Sequence, residues 1–569
     1  MKIPLFSYGK KSAAGPSPPE TPEKKNPCAI ILNYHEETKH HHHRFARSLG
    51  YLDWVTQPDP FRRFRNAPML PLPLLPVQHD PLYDGLFQHG VIPSRQVTLD
   101  SLSRLFRNAL AVSAWKRHGA ARWALRVNPS SGNLHPTEGY AILGNAVPEI
   151  PAGVYHYVPP EHALEQRAEI SAGDFSELAA GLPAQTFFVG LTSIHWREAW
   201  KYGERAYRYC QHDIGQALAA FRISAAVLGW QLVLLEDPAD EEVASLLGLN
   251  RPEDFEEAED ECPDLLAAVI PSGTPFSEPV ALSTRAIEII QPGAWHGQAN
   301  RLSLSHVEWN LIAEAERAAR KERTKTLFHP TSVREPETKA ARAISAEQII
   351  QQRRSCLALD GVTSLPAPDF FRMLARTVPA MTPIPFDAFR ASGLHSPRIH
   401  LVLFVHRVEG IQPGLYVLAR SPGAVSSLRS AMHSRFLWQK PDGCPEHIDL
   451  FLLETGDFTR IAGGISCGQA IAADGAFALG MLAEFEDPVR SGGAWLYRRL
   501  FWEAGFVGQI LYLEAEAAGI RSTGIGCYFD DPMHELLGLA GKQFQSLYHF
   551  TVGGPVEDSR LTTEPAYAR

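Results

Sequence analysis

Cysteine is scarce in this chain, and no two cysteines form a CxxC pair. An odd, dispersed set predicts neither a disulfide framework nor a structural zinc site, and it indicates a reducing compartment. Long apolar runs are also absent. No stretch approaches the ~20 residues of a membrane helix, and the first residues have no signal-peptide core. We therefore predict a cytoplasmic protein. The seven cysteines are Cys28, Cys210, Cys262, Cys356, Cys444, Cys467 and Cys527.

The chain also has no excess of positive charge, because its formal net charge is -9. This leaves no basic footprint for nucleic acid and no polybasic patch for a membrane surface. With 45% hydrophobic and 21% charged residues in a chain of 569, the sequence is long enough and apolar enough for two or three packed domains. The expected partners are a small-molecule or peptide substrate, with peptide-modifying enzymes as possible protein partners.

The N-terminal part divides into two segments. Residues 1–27 are rich in Pro, Lys, Ser and Glu and predict a flexible tail. Residues 28–79 form an extension that ends in the Pro-rich run "NAPMLPLPLLPV", which we expect to lie extended along another part of the protein. Four consecutive histidines, His40 to His43, favour a partly exposed helix start over a metal site, because consecutive side chains on a helix do not converge on one ion.

The sequence repeats itself at an offset of 290 residues. Three glycines of the first copy recur at the same spacings in the second, and Tyr207-Arg208 recurs as Tyr497-Arg498. An earlier match, "PAGVYHYV" with "QPGLYVLA", has an offset of 261, which implies an insertion of about 29 residues in the second copy, within 421–456. The matching glycines are Gly215, Gly229 and Gly248, then Gly505, Gly519 and Gly538.

Each copy has the predicted order helix, strand, strand, long helix, loop, short helix ending in "LLGL", and final strand. Apolar residues at helical spacing, from Ile214 to Leu228, indicate that the long helix is buried. The pattern predicts an α+β fold with helices on a mixed sheet in each half, and two such halves suggest an intramolecular pseudo-dimer. The predicted domains are 80–300 and 341–560, joined by a helical linker 301–340 and followed by a tail 561–569.

Several motifs resemble one family. "RVNPSSGNLHPTEGYAIL", the "RRS" of Arg353 to Ser355, the long "GQ" helices and "GIGCYFDDPMHELLGL" with "FTVGGP" are similar to the FMN-dependent nitroreductase superfamily. Within it, "KYGERAYRYCQHDIGQA" and the run around the Pro-Ser loop are most similar to the SagB/ThcOx-type dehydrogenases. The resemblance covers residues 80 to 555 and implies an FMN flavoprotein that oxidises azolines in ribosomally made peptides.

The chemistry of the residues fits an FMN cofactor. "RRS" supplies two guanidiniums and a hydroxyl for a phosphate, and a solvated helix end is its alternative interpretation. "GIG" allows a planar ring to approach bare backbone, and a plain turn is the alternative. "PSSGN" supplies hydroxyls and an amide, with a satisfied Ser or Asx turn as the alternative. The predicted FMN-binding residues are Pro129, Ser130, Ser131, Gly132, Asn133, Arg353, Arg354, Ser355, Gly524, Ile525 and Gly526.

The two copies keep different parts of this set. The position of "GIG" reads Leu234, Leu235 and Glu236 in the first copy, and the counterpart of "PSSGN" in the second retains only Ser392 and Gly393. In the resembling family each flavin lies between two subunits, so we predict one composite site per chain and a degenerate second one. Leu357 departs from the family, in which many members carry a basic residue there.

The resemblance implies Lys201 and Tyr202 as catalytic residues, a general base and its hydrogen-bonding partner. Desolvation beside a flavin lowers the pKa of a lysine and makes it a competent base. A packing role at a helix entry is the alternative for both. Arg205 and Arg208 are expected to be interface or helix-surface cations, and His135 and Glu138 are secondary candidates beside the loop.

Three functions remain open at this point. The first is an FMN-dependent dehydrogenase that moves hydride from a peptide azoline or a similar substrate to flavin N5. The second is an NAD(P)H-dependent nitro- or quinone reductase, which carries no dinucleotide fingerprint here. The third is a catalytically decayed flavin-fold scaffold, which Leu357 and the lost second site favour.

Overall fold

The computed structural model describes residues 26–147, 149–271, 282–290, 293–325, 343–390 and 396–567. Most of the predicted tail 1–27 lies outside the described residues, as do Ser392, Gly393 and the greater part of the predicted linker's second half. Below, the first half denotes the described residues up to 325, and the second half those from 343 onward.

The first half is built around a seven-stranded sheet. Its order is β2-β7-β6-β5-β8-β10-β9, and every neighbouring pair is antiparallel. The strands of this half are β1 (Phe64–Arg65), β2 (Met69–Pro71), β3 (Val112–His118), β4 (Ala121–Arg126), β5 (Thr137–Leu143), β6 (Gly153–Val158), β7 (Ala163–Glu169), β8 (Phe187–Ser193), β9 (Gln231–Leu235), β10 (Cys262–Ile270) and β11 (Gln298–Ala299). The helices are α1 (Pro27–Glu37), α2 (Leu99–Arg107), α3 (Ala172–Leu178), α4 (His195–Tyr202), α5 (Ala206–Val227), α6 (Asp240–Leu247), α7 (Thr284–Ile290) and α8 (Asn310–Ala318).

The second half is built around a six-stranded sheet of order β16-β15-β13-β17-β19-β18, again antiparallel throughout. Its strands are β12 (Leu365–Pro366), β13 (Ile399–Val405), β14 (Val408–Glu409), β15 (Gly414–Leu418), β16 (Leu450–Thr455), β17 (Phe477–Glu484), β18 (Arg521–Ile525), β19 (Phe544–Gly553) and β20 (Thr562–Glu564). Its helices are α9 (Ala346–Gln352), α10 (Ala367–Arg376), α11 (Pro383–Phe386), α12 (Ala424–Ala431), α13 (Thr459–Ile465), α14 (Ile471–Asp474), α15 (Glu486–Gly492), α16 (Leu496–Ala517) and α17 (Asp530–Leu537).

The structure confirms an α+β fold but corrects two details of the predicted pattern. The sheets are antiparallel and not mixed, because each helical connection returns the chain beside a strand that runs the opposite way, as α6 does between β9 and β10. The segment predicted as a loop after each long helix is a strand, β9 or β18. The predicted insertion is confirmed, since the connection 159–162 of the first half corresponds to 419–449, which contains α12.

The long helices α5 and α16 pack against each other at two glycines. A Cβ built on Gly215 would lie 2.1 Å from the carbonyl oxygen of Trp502, and one built on Gly505 would lie 2.1 Å from that of His212. Only glycine permits backbones to approach this closely. Both helices are almost completely buried, as the apolar spacing predicted, and the crossing joins the two halves into one core.

The Pro-rich segment and the C-terminal segment each add a strand to the first half. The Pro-rich run contains β2, which pairs with β7, so its predicted extended course is confirmed. Near the C-terminal end, β20 pairs with β3 of the β3-β4 hairpin, so part of the predicted tail 561–569 is a strand on the first half. The hairpin and β20 together form a three-stranded sheet.

The four histidines do not begin a helix. Helix α1 ends at Glu37, and His41 to Arg44 form a tight turn, so the expected helix start is wrong. Asn26 and Pro27 explain the difference, because they cap and start the helix earlier in the chain. Within the described residues no His, Cys, Asp and Glu group is arranged to hold a metal ion, and no helix is long and apolar enough to span a membrane.

Candidate functional site

A cavity of about 450 Å³ lies between the two halves, and all thirteen predicted site residues line it. The first half contributes the Pro-Ser loop, Lys201 and Tyr202. The second half contributes the Arg-Arg-Ser segment and the glycine segment at the end of β18. The structure therefore brings together motifs that are more than 200 residues apart. The thirteen are Pro129, Ser130, Ser131, Gly132, Asn133, Lys201, Tyr202, Arg353, Arg354, Ser355, Gly524, Ile525 and Gly526.

The Pro-Ser loop is held in a fixed conformation by bonds to its surroundings. Ser131 donates from its backbone N–H to Asp213 at 3.1 Å, and the Asn133 amide donates to the Ala124 carbonyl at 2.9 Å. Gly132 and Asn133 both have left-handed backbone angles, with φ of 60° and 61°. Gly132 suits this conformation because it has no Cβ.

The Arg-Arg-Ser segment follows α9 and forms a half-buried cluster of positive charge. Arg353 donates to the carbonyls of Val127 and Arg126, while its Nη1 is buried with no partner among the described residues. Burial lowers the pKa of Arg353, and burial together with Arg353 and Arg521 lowers the pKa of Arg354 to about 10. These shifts mean that the local negative charge does not balance the guanidiniums.

Lys116 of the β3-β4 hairpin also lines the cavity, and sequence reasoning missed it. Its ammonium donates to the Thr563 hydroxyl of β20 at 2.7 Å. Leu357 is 79% exposed and lines the same cavity. Lys116 and Leu357 also both line a smaller pocket with Arg354 and Ser355.

The glycines of the "GIG" segment make room for two tyrosines of the protein itself. A Cβ on Gly524 would lie 1.8 Å from the Tyr548 hydroxyl, and one on Gly526 would lie 2.6 Å from the Tyr209 ring. The Gly524 N–H donates to the Tyr512 hydroxyl at 2.8 Å. The packing of these tyrosines therefore explains why both positions are glycine. The approach of a ligand ring to this backbone stays a prediction.

Lys201 and Tyr202 are the last two residues of α4. The helix stops at Gly203, whose φ is 56° and whose Cβ would lie 2.2 Å from the carbonyl oxygen of Arg47. The pair lies against the Pro-Ser loop, since a Cβ on Gly132 would be 2.6 Å from the Tyr202 hydroxyl and 3.2 Å from the Lys201 ammonium. Burial lowers the pKa of Lys201 and raises the pKa of Tyr202.

Two buried carboxyl groups lie behind this pair. Burial raises the pKa of Asp213 to about 7, although its bonds from Ser130 and Ser131 oppose the shift. Burial also raises the pKa of Glu198, and both of its oxygens lack a partner among the described residues. Glu198 is three residues before Lys201 on the same helix, and its charge favours protonated lysine.

The secondary candidates have structural roles. Glu138 is buried against Arg197 and His156, away from the cavity lining. His135 lines the cavity, but its ring bonds to Asn133 at 3.1 Å and burial lowers its pKa. Arg205 and Arg208 pair with Asp530 of the second half, as expected for interface cations.

Other cavity residues escaped sequence reasoning, among them Tyr512, Gln216, Tyr209 and Tyr548. A comparison at the 290-residue offset signals the first two, because the counterpart of Tyr512 is Arg222 and the counterpart of Gln216 is Phe506. Gln216 donates to the Tyr548 hydroxyl at 3.0 Å. At these two positions, the copy that lines the cavity carries an uncharged polar side chain that its counterpart lacks.

On the other side, the described counterparts of Tyr512 and Gln216 are packed in the protein interior. Arg222 makes a two-bonded ion pair with Asp387 at 2.8 Å, and the Phe506 ring packs on Phe386 and Phe389 with ring centres 5.3 and 4.8 Å apart. All of these side chains are buried. The counterpart of "GIG" is the buried strand β9.

Comparison with known proteins shows a similar fold. The chain has the fold of a putative nitroreductase from Anabaena variabilis, with a TM-score of 0.67 and 21% identity over 93% of this chain and 99% of that one. Residues 93–256 match the model of the nitroreductase family.

Two curated proteins are similar over shorter stretches. The trifolitoxin-processing protein TfxB of Rhizobium leguminosarum bv. trifolii is 30% identical over 153 residues, which is 25% of this chain and 41% of TfxB. A putative nitroreductase of Methanocaldococcus jannaschii is 25% identical over 161 residues, which is 27% of this chain and 76% of that protein. The match thus spans less than half of the length of TfxB.

Proposed function

We propose that the chain is an FMN-dependent oxidoreductase with one composite site, formed between two nitroreductase-like domains that act as an intramolecular pseudo-dimer. The observation that carries the proposal is the cavity between the halves, which all thirteen predicted residues line. The proposed domains are 80–300 and 341–560. The repeated glycine contacts of α5 and α16 support their pairing, because the same two positions meet from both sides.

The residues present fit an FMN phosphate. Arg353 has a buried Nη1 without a partner among the described residues, and the lowered pKa values of Arg353 and Arg354 indicate positive charge in need of an anion. Ser355 and Lys116 add a hydroxyl and an ammonium to the same cavity. A dianionic phosphate would balance this charge, so we assign the phosphate end to Arg353, Arg354, Ser355 and Lys116.

Lys201 and Tyr202 are the proposed catalytic pair at the opposite wall. When bound, FMN supplies the acceptor for a hydride from the substrate. Lys201, whose pKa burial lowers, takes the proton that leaves the substrate, and Tyr202 hydrogen-bonds to the same region from its place against Gly132. Glu198 lies close enough to influence the charge of Lys201.

One site per chain is sufficient for this proposal. On the other side of the pair, Arg222 and Asp387 form an ion pair where the first site has Tyr512, and Phe506 replaces Gln216. An aromatic cluster and a buried ion pair leave no donors for a flavin edge at these positions. This packing supports the proposal that the second site is degenerate.

We propose a peptide azoline, or a similar organic substrate, as the group that is oxidised. The similarity to a trifolitoxin-processing protein supports a role in processing, and the SagB/ThcOx-like motifs at Lys201 and Tyr202 support azoline oxidation. The similarity to a putative nitroreductase favours the second candidate, a reductase that takes electrons from NAD(P)H.

Anaerobic reduction of the bound flavin distinguishes the candidates. The full chain is purified, reconstituted with FMN, and mixed without oxygen with NADH, NADPH or an azoline-containing peptide. Loss of the oxidised flavin absorption with the azoline peptide alone supports the dehydrogenase, and the azole product is then measured by mass spectrometry. Reduction by a nicotinamide nucleotide supports the reductase. If the chain binds no FMN, both the dehydrogenase and the reductase proposals are contradicted. The catalytically decayed scaffold is then the remaining function.

A further inference from the structure

Cys467 and Cys527 are 60 residues apart in the sequence but meet in the fold. Their side chains are within hydrogen-bonding reach of each other. Both cysteines are free and partly exposed. Cys527 lines the cavity directly after Gly526. Two thiols therefore lie together on the wall of the proposed site, and the proposed reaction uses neither.

Hydrogen bonds join the two chain segments that carry the cysteines. The Phe529 N–H donates to the Ile465 carbonyl at 2.8 Å, and the Gln469 side chain donates to the Cys527 carbonyl at 2.8 Å. These bonds lie on either side of the thiol pair. Cys467 itself has a left-handed backbone with φ of 56°, a conformation that non-glycine residues rarely adopt. Strain of this kind persists where the surroundings enforce it, and it concentrates at functional sites.

The two thiols differ in reactivity. The hydrogen bond from Cys467, together with the charge of Arg205, lowers the pKa of Cys527 and stabilises its thiolate. Donation of that bond raises the pKa of Cys467. In contrast, burial raises the pKa of Cys210, Cys262 and Cys356. A partly exposed cysteine with a lowered pKa beside a second thiol is the arrangement of attacking and resolving cysteines.

We propose that Cys467 and Cys527 form a thiol–disulfide exchange site on the cavity wall that reacts with small organic disulfides. The Cys527 thiolate attacks one sulfur of an external disulfide RSSR, which forms a mixed disulfide and releases RS⁻. Cys467 then gives up its proton and attacks the Cys527 sulfur, which forms the Cys467–Cys527 disulfide and releases the second RS⁻. Two electrons pass from the protein to RSSR, and the two protons of the protein thiols leave with the two RSH.

This inference does not depend on the proposed flavin chemistry. Oxidation joins the turn that contains Cys467 to the segment that follows Gly526, and so fixes one wall of the cavity. Reduction by excess RSH reverses both steps. The chemistry requires only the thiols shown and a disulfide of low molecular mass.

Thiol mapping of the full-length protein tests the site. The protein is equilibrated without oxygen in mixtures of glutathione disulfide and glutathione, quenched with an alkylating reagent, and digested for mass spectrometry. We expect wild-type protein to lose two hydrogen atoms and to give a linked peptide pair containing Cys467 and Cys527. The Cys467→Ser variant is expected to stop at a single glutathione adduct on Cys527. The Cys527→Ser variant is expected to react at Cys467 at least about tenfold more slowly.

The Cys444→Ser variant is the matched control, because it removes another partly exposed cysteine and should form the same link as wild type. The proposal is overturned if wild-type protein forms no Cys467–Cys527 link in mixtures that already glutathionylate Cys444 or Cys28. Equal rates at the two cysteines in the single variants would also reject the assigned order of attack. The wild-type map decides the main point even if a variant does not fold.

Discussion

Arg208 of α5 forms a buried ion pair with Asp530 of α17, with Nη1 and Oδ1 2.8 Å apart. The same relationship occurs 290 residues away in the opposite sense, where Arg498 of α16 pairs with Asp240 of α6 at 2.5 Å. Each pair joins the two halves. Each aspartate also accepts from one backbone N–H, that of His40 or of Lys321. The ion pairs are not equal, however, because Asp530 accepts from a second guanidinium, that of Arg205.

This difference predicts that replacement of Asp530 and replacement of Asp240 lower the free energy of unfolding by different amounts. Asp530→Asn leaves two buried guanidiniums without their carboxylate, so we expect it to lower the free energy of unfolding by about 3 to 5 kcal/mol. Asp240→Asn affects one principal guanidinium and should cost less. Urea unfolding of both variants and wild type measures the difference. An equal loss in both variants would show that the additional bonds of Asp530 contribute nothing.

The helix crossing gives a second stability prediction. Gly215→Ala and Gly505→Ala each place a methyl group 2.1 Å from a backbone carbonyl oxygen of the facing helix, so the helices must separate. We expect each substitution to destabilise the protein by about 2 to 4 kcal/mol. Gly508→Ala is the control on α16, since its Cβ would meet the Tyr548 ring at 3.1 Å and two other side-chain atoms at 3.8 Å. Thermal unfolding should show a clearly smaller effect for the control.

Lys201 is the test of the proposed base. Lys201→Ala should abolish turnover of the azoline peptide while FMN remains bound, because the ammonium is placed at Gly132 and not at the arginine cluster. Burial lowers the pKa of Lys201, and only the neutral amine accepts a proton. The rate with wild-type enzyme should therefore fall as the pH drops below that pKa. Turnover that survives in the alanine variant would reject the assignment.

Arg354 tests the proposed phosphate end. Arg354→Gln removes a cation but keeps a hydrogen-bonding side chain, and we expect FMN to dissociate about 10- to 100-fold more readily. Quenching of flavin fluorescence on titration with apoprotein measures the dissociation constant. Arg429→Gln, on helix α12 away from the cavity lining, should bind FMN like wild type. Riboflavin, which lacks the phosphate, should bind the Arg354 variant and wild type with the same affinity.

Asp213 links stability to pH. Burial raises its pKa to about 7, above the value in the unfolded chain, so the folded protein binds more protons between roughly pH 4 and pH 7. Its contribution to stability is therefore present at low pH and is lost as the pH rises through about 7. Asp213→Asn removes this dependence. The melting temperature of the variant relative to wild type should be higher at pH 8 than at pH 5, and a constant difference would contradict the assigned shift.

Much of the architecture followed from local pattern. The helical spacing around Ile214 and Phe221 predicted the buried α5, and the repeated glycines predicted a second copy of it. The strand pairing did not follow from the same information. Apolar runs such as those of β8 and β10 have the same composition in parallel and antiparallel sheets, and the direction is set by connections whose course depends on packing.

The candidate site likewise contains some residues that the sequence predicted and others that it did not. Motifs with unusual composition, such as Pro129 to Asn133 and Arg353 to Ser355, were recognisable because so many polar, glycine or arginine residues in a row have few structural uses. Lys116 and Tyr548 were not, because a lysine on a hairpin and a tyrosine in a strand are ordinary there. Their importance comes from which residues face them.

The sequence by itself determined the repeat, the α+β composition, the buried long helices and the residues that are expected to bind a flavin, since each is written in local spacing or in a run of unusual residues. Only the tertiary structure decided that these residues share one cavity, that Arg222 and Phe506 fill the opposite side, and that Cys467 meets Cys527. Each of these is a contact between residues that are distant in the sequence. Such contacts depend on how the two halves pack together and are not visible in local sequence patterns.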